Sequence, residues 1–165
     1  MENSENRLLD VFFYGLYMDP DLLSEKKVLA RNPRLAMLVD FRLKLGKMAT
    51  LLRAPGKLSI GMLYSITHAE LRRLYWGAGL DAYGAEAVLA AVAIDTIKQF
   101  DSLHDLKQVY RKIDAVVVER VPALCCNLIV PPLDDESNDA YQEKLLSLMR
   151  RLKIPLPDEL LLNIH

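Results

Sequence analysis

Apolar and polar positions along this chain fall into short runs whose period switches between two and three to four, which predicts strands alternating with short helices. The first run, Val11-Phe12-Phe13-Tyr14, is apolar and aromatic throughout and predicts a buried strand. It breaks at Gly15, read as the source of backbone freedom for a tight departure. Asp19-Pro20 then combines a helix N-cap with proline at the first helical position, so a short helix should start there. Arg31-Asn32-Pro33-Arg34 reads as a polar link. Beyond it, Phe41, Leu43 and Leu45 alternate with Arg42 and Lys44 as in a half-buried strand, Met48 to Leu52 continues or pairs with it, and Ala54-Pro55-Gly56 predicts a turn. Leu58 to Ile66 alternates again, with Gly61 marking a bulge or a close backbone approach.

Thr67-His68-Ala69-Glu70 has the form of a capping box, opening a helix that buries Leu71, Leu74 and Tyr75 and ends at Gly77-Ala78-Gly79. Ala87 to Ile94 predicts a buried strand. Ile97, Phe100, Leu103, Leu106, Val109 and Tyr110 predict one bent helix or two short ones between Thr96 and Arg111, with a second possible cap at Ser102. Asp114 to Glu119 and Ala123 to Val130 read as two strands separated by Arg120-Val121-Pro122, and Pro131-Pro132 stops the sheet. Asn138 caps a helix with Tyr141, Leu145, Leu148, Met149 and Leu152 on one face, and a last turn starts at Pro157. Phe12, Leu43, Met62, Val88, Val117 and Leu128 are expected on strands of one closed or nearly closed sheet.

With 165 residues, 52% of them hydrophobic, the chain can bury one substantial core, and a single domain over 1–165 is expected. Its 21 Lys and Arg are interspersed with 22 Asp and Glu, so no basic face is offered to nucleic acid. The polar N-terminus and the lack of any apolar stretch of transmembrane length predict a soluble, cytoplasmic protein with no membrane association. Cys125 and Cys126 are adjacent, the wrong arrangement for a disulfide framework, and read as strand filling. His68, His104 and His165 stand far apart, so neither a metal nor a cofactor is expected.

The candidate chemistry lies at the first break. A strand that stops at glycine before a capped helix leaves the N–H groups of residues 15 to 18 without ladder partners, a loop suited to a carboxylate or a developing oxyanion. Tyr14-Gly15-Leu16-Tyr17-Met18 resembles the Tyr-Gly-Ser-Asn-Met/Leu loop that opens the gamma-glutamylcyclotransferase-like superfamily; Tyr14, Gly15 and Met18 match, while Leu16 and Tyr17 replace the serine and asparagine. The strand, glycine, strand and Thr67-x-x-Glu70-Leu71 helix order resembles the superfamily's middle section, and Ala140 to Leu161 its closing helix and Leu-Pro segment. Only roughly 95–113 falls outside the resemblance, as an insertion. The resemblance implies an α+β fold, a small mixed β-barrel with flanking helices, and a ligand site formed by Tyr14, Gly15, Leu16, Tyr17, Met18 and Tyr83.

In active members of that superfamily a glutamate soon after the middle helix relays a proton while the amine of a gamma-glutamyl group attacks its own gamma-carbonyl and closes 5-oxoproline. The matching segment here, Leu74-Tyr75-Trp76-Gly77-Ala78-Gly79, puts Ala78 at the glutamate's place, and an alanine transfers no proton. Three acids could substitute. Glu70 reads first as the capping partner, Asp81 as a solvated loop residue and Glu86 as an exposed residue entering a strand. The leading reading is a protein that binds a small amino-acid-like or carboxylate ligand and has lost cyclotransferase activity. The alternatives are a cyclotransferase or amine-linked acyl transferase with a substitute carboxylate, and an interaction module with a vestigial cavity whose 95–113 segment recruits an unspecified protein partner.

Overall fold

The computed structural model describes residues 4–76 and 82–161. Strands Leu8–Phe13 (β1), Arg31–Leu45 (β2), Ala49–Thr67 (β3), Tyr83–Ala93 (β4) and Val117–Leu128 (β5) close into a barrel in the order β1-β3-β2-β4-β5. Neighbours are antiparallel except at the closing seam, where β1 meets β5 in parallel through Val11–Leu124 and Phe12–Cys125. The fold is α+β, a small mixed barrel with flanking helices, as expected. Phe12, Leu43, Met62, Val88, Val117 and Leu128 all lie on its strands.

Four readings of the chain are corrected. Arg31-Asn32-Pro33-Arg34 belongs to β2. Asn32, at φ 50°, takes up a register shift there, and Arg34 reaches across the sheet to Asp10 at 2.6 Å and Ser65 at 3.1 Å, so its polarity is satisfied within the strand layer. Ala54-Pro55-Gly56 does not end a strand. It swells out of a continuous β3 opposite Asp40, whose carboxylate accepts the Gly56 N–H at 2.9 Å, with Gly56 at φ 79°. Glycine is favoured at that positive φ. Val117 to Leu128 is one strand, not two. Pro122 is tolerated because it pairs with Leu89 of β4 at a level that β1, which meets only Leu124 and Cys125, does not reach. In β4 only Ala90 to Ala93 are buried; the earlier half, from Tyr83, alternates half-buried and exposed.

The helices start where their local capping residues place them. Pro20–Glu25 (α1) starts on Asp19, whose carboxylate accepts from the Asp21 N–H at 2.9 Å. His68–Tyr75 (α2) has both halves of its capping box, and buries Leu71, Leu74 and Tyr75. Residues 95–112 form two short pieces, a 3-10 turn at Asp95–Gln99 and Leu103–Val109 (α3) capped by Ser102, and Ile113–Val116 is a further 3-10 turn where a strand was expected from Asp114. This segment is fixed to the core by Ile97, Leu103 and Leu106. It is also tied to the C-terminal stretch, where Leu103 N–H donates to the Leu156 carbonyl and Leu156 N–H to that of Asp101, each at 2.9 Å. Asp139–Leu152 (α4), capped by Asn138, buries Leu145, Leu148 and Met149, each contributing roughly 2 kcal/mol. Asp158–Leu161 (α5) follows Pro157. Among the described residues no helix is long and apolar enough to cross a membrane.

Gly61 marks a close approach: a Cβ there would strike the Phe13 carbonyl oxygen and the Phe12 ring. This contact packs the end of β1 against β3 and fixes where the loop after Phe13 leaves the barrel.

Candidate functional site

Where β1 leaves the sheet, a cavity of about 340 Å³ opens. Phe13 to Tyr17 form one wall. Leu22 and Lys26 of α1, the β2–β3 turn at Lys47-Met48-Ala49, Leu74 and Tyr75 of α2, Tyr83 of β4 and Tyr141 of α4 complete it. Of the seven tyrosines in the chain five line this space, and their rings interlock: Tyr17 meets Tyr75 edge-on at 5.7 Å and Tyr75 meets Tyr83 at 5.2 Å. Such contacts fix the wall's shape as well as burying area.

Much of the hydroxyl chemistry of this wall is spent internally. Tyr14 donates to the Cys126 carbonyl at 2.7 Å, and Tyr83 to the Ala49 carbonyl at 2.7 Å. The Tyr141 hydroxyl accepts the Leu16 N–H at 3.1 Å. Those of Tyr17 and Tyr75 have no hydrogen-bond partner among the described residues. Burial raises all five phenols above the ordinary tyrosine range, so each keeps its proton at neutral pH and none serves as a base.

Gly15 is glycine for a different reason from the one expected. Its φ of −115° is open to any residue, but a Cβ would run into the Tyr141 hydroxyl. The loop amides are also less available than their spacing suggested. Leu16 N–H is taken by Tyr141, and residues 16–18 wind into a 3-10 turn in which Met18 N–H bonds the Gly15 carbonyl at 3.0 Å. The amides of Gly15 and Tyr17 find no acceptor among the described residues. Met18 is fully buried and is not part of the cavity wall; its carbonyl accepts the Tyr64 hydroxyl at 2.6 Å.

No protein-family model matches the chain, and no curated protein does. Solved structures match over nearly its whole length. A gamma-glutamyl cyclotransferase superposes with a TM-score of 0.56 at 15% identity, covering 93% of this chain and 90% of its own. A yeast gamma-glutamyl cyclotransferase specific to glutathione gives 0.55 at 14%, covering 93% and 91%. An Arabidopsis thaliana protein known from a solution structure gives 0.56 at 17%, covering 92% and 87%. The chain has the gamma-glutamyl cyclotransferase fold. At these identities the likeness is one of architecture, and what the cyclotransferase fold does here depends on the residues in its cavity.

Among the described lining residues none is acidic. Ala78 and Asp81 lie outside the described residues; before them, the Trp76 indole N–H donates to the Tyr83 carbonyl at 2.9 Å. Glu70 is committed elsewhere. Burial alone would raise its carboxyl, but Arg31 at 2.8 Å, the Leu29 N–H at 2.7 Å and the Thr67 N–H at 2.8 Å together bring it down to about 2. Glu86 stands off the cavity wall, partly exposed, 3.5 Å from Arg53.

Of the residues the sequence singled out, Tyr14, Gly15, Leu16, Tyr17 and Tyr83 line this one cavity, while Met18 and Glu86 do not. Lys26, Lys47, Tyr75 and Tyr141 were not anticipated as site residues. Tyr141 left a trace, since a tyrosine on an otherwise aliphatic helix face carries a hydroxyl that needs a partner. The two lysines left none, because an exposed lysine at a turn or helix end looks like any other.

Proposed function

We propose that this protein binds a small carboxylate-bearing ligand in the cavity beside residues 14–17 and does not turn over gamma-glutamyl substrates. The observation that carries this reading is the lining. Lys26 and Lys47 supply positive charge and the Tyr17 and Tyr75 hydroxyls supply donors, while no carboxylate among the described lining residues is placed to move a proton. Cyclisation of a gamma-glutamyl group needs its amine deprotonated and the leaving amine protonated, and losing a positioned acid/base costs on the order of 10²- to 10⁴-fold. Ala78, at the place of the family's glutamate, supports the same reading.

The test is 5-oxoproline release from glutathione and from gamma-glutamyl amino acids. No enzyme-like turnover is expected from the native chain, and Ala78→Glu should introduce a measurable rate. Robust native turnover abolished by Asp81→Asn or Glu86→Gln would overturn the proposal and assign catalysis to that carboxylate.

A further inference from the structure

The cavity is polarised from mouth to floor. Lys26 and Lys47 are both exposed at its rim, and neither has an ion-pair partner among the described residues. Deeper in, Phe13 and Leu74 are buried, and the Tyr14 and Tyr83 hydroxyls are turned to backbone carbonyls, so that these two tyrosines present ring faces rather than polar tips. Tyr17, of intermediate burial, and the buried Tyr75 carry hydroxyls without a partner among the described residues; these and the Gly15 and Tyr17 amides can donate hydrogen bonds. Nothing acidic in the described wall is available to pair with an ammonium group.

A ligand that satisfies this order has an apolar end, a neutral carbonyl in the middle and an anion at the far end. We infer that the cavity takes an N-acylated amino acid, acyl group first, with its carboxylate held at the mouth by Lys26 and Lys47. This rests on the carboxylate-binding reading above and adds to it an orientation and a chemical class. Size agrees: a cavity of roughly 150 Å³ holds one benzene, so about 340 Å³ accommodates a ring, an amide and a short carboxylate arm. A free amino acid, or a gamma-glutamyl compound with its amine unblocked, would have to bury an ammonium against protonated phenols and apolar side chains with no counter-charge from the described wall, which is unfavourable.

Calorimetric titration of the full chain with N-phenylacetylglycine, with its uncharged carboxamide and with gamma-glutamylalanine tests the inference. N-phenylacetylglycine should bind, its carboxamide about tenfold more weakly, and gamma-glutamylalanine more weakly than either. Lys26→Gln and Lys47→Gln, both at exposed positions, should each reduce affinity for the acid about 3- to 5-fold and leave the carboxamide unchanged. That difference should fade in about 0.5 M salt. Tighter binding of gamma-glutamylalanine than of N-phenylacetylglycine would overturn the inference while leaving the carboxylate-binding reading in place. Equal affinity for acid and carboxamide would remove the role given to the lysines. If no carboxylate binds, both proposals fall together.

Discussion

Gly15 and Tyr141 behave as a unit, because the hydroxyl occupies the space a Cβ would need and in doing so caps Leu16 N–H. Gly15→Ala should therefore cost about 1–3 kcal/mol by overpacking, and clearly less in a Tyr141→Phe background, where the next ring atom lies at 3.7 Å. Urea denaturation of the four proteins measures this coupling; strictly additive losses would show that the glycine serves some other purpose. Glu70 makes a different prediction. Its carboxyl is held at about 2, below its ordinary value near 4.5, so the stabilisation it gives is complete above that value and is lost as pH falls towards 2. Glu70→Gln should cost on the order of 2 kcal/mol at pH 7, and its deficit relative to the native chain should close across that acid window. A deficit constant with pH would mean that the charge is not what matters. Glu70 was legible as a capping partner from Thr67-x-x-Glu70 alone. Its bonds to Arg31 and Leu29 were not, because they bridge segments whose proximity only the folded chain creates.

At the level of elements, signals written within a few neighbouring residues were readable, and those depending on distant pairing were not. Asp19, Thr67, Ser102 and Asn138 each cap the helix their spacing announced. By contrast, Pro122 and Ala54-Pro55-Gly56 have the local form of strand breaks and lie within continuous strands. Whether a proline or a turn tripeptide ends a strand depends on which neighbour lies beside it, and the sheet order is not written locally. Lys153 offers a test at this scale. It ends α4 in the left-handed region, at φ 58° and ψ 44°, where a side chain is disfavoured and glycine is not. Lys153→Gly should raise stability by up to about 1 kcal/mol, which for a chain of this size is a rise of roughly 2–4 °C in Tm by calorimetry. An unchanged or lower Tm would show that the strain is relieved by other means.

For the whole molecule, barrel architecture was legible from the number and spacing of the apolar runs together with the resemblance of the opening loop, whereas the cavity was only half legible, since its walls come from segments spread from Phe13 to Tyr141. That spread has a consequence in time. The contact that seats the loop joins Leu16 to Tyr141, partners 125 residues apart in sequence, and the seam closing the barrel is two residue pairs wide. Contacts of such separation form late, after the entropy of closing the intervening chain has been met. Tyr141→Phe should accordingly speed unfolding and leave the refolding rate nearly unchanged in stopped-flow measurements; a slowed refolding limb would put this contact in the folding nucleus. A chain still emerging from the ribosome would carry the loop for most of its synthesis without the helix that sets it, so a ligand of the kind proposed would stabilise the finished protein rather than serve as a template for making it.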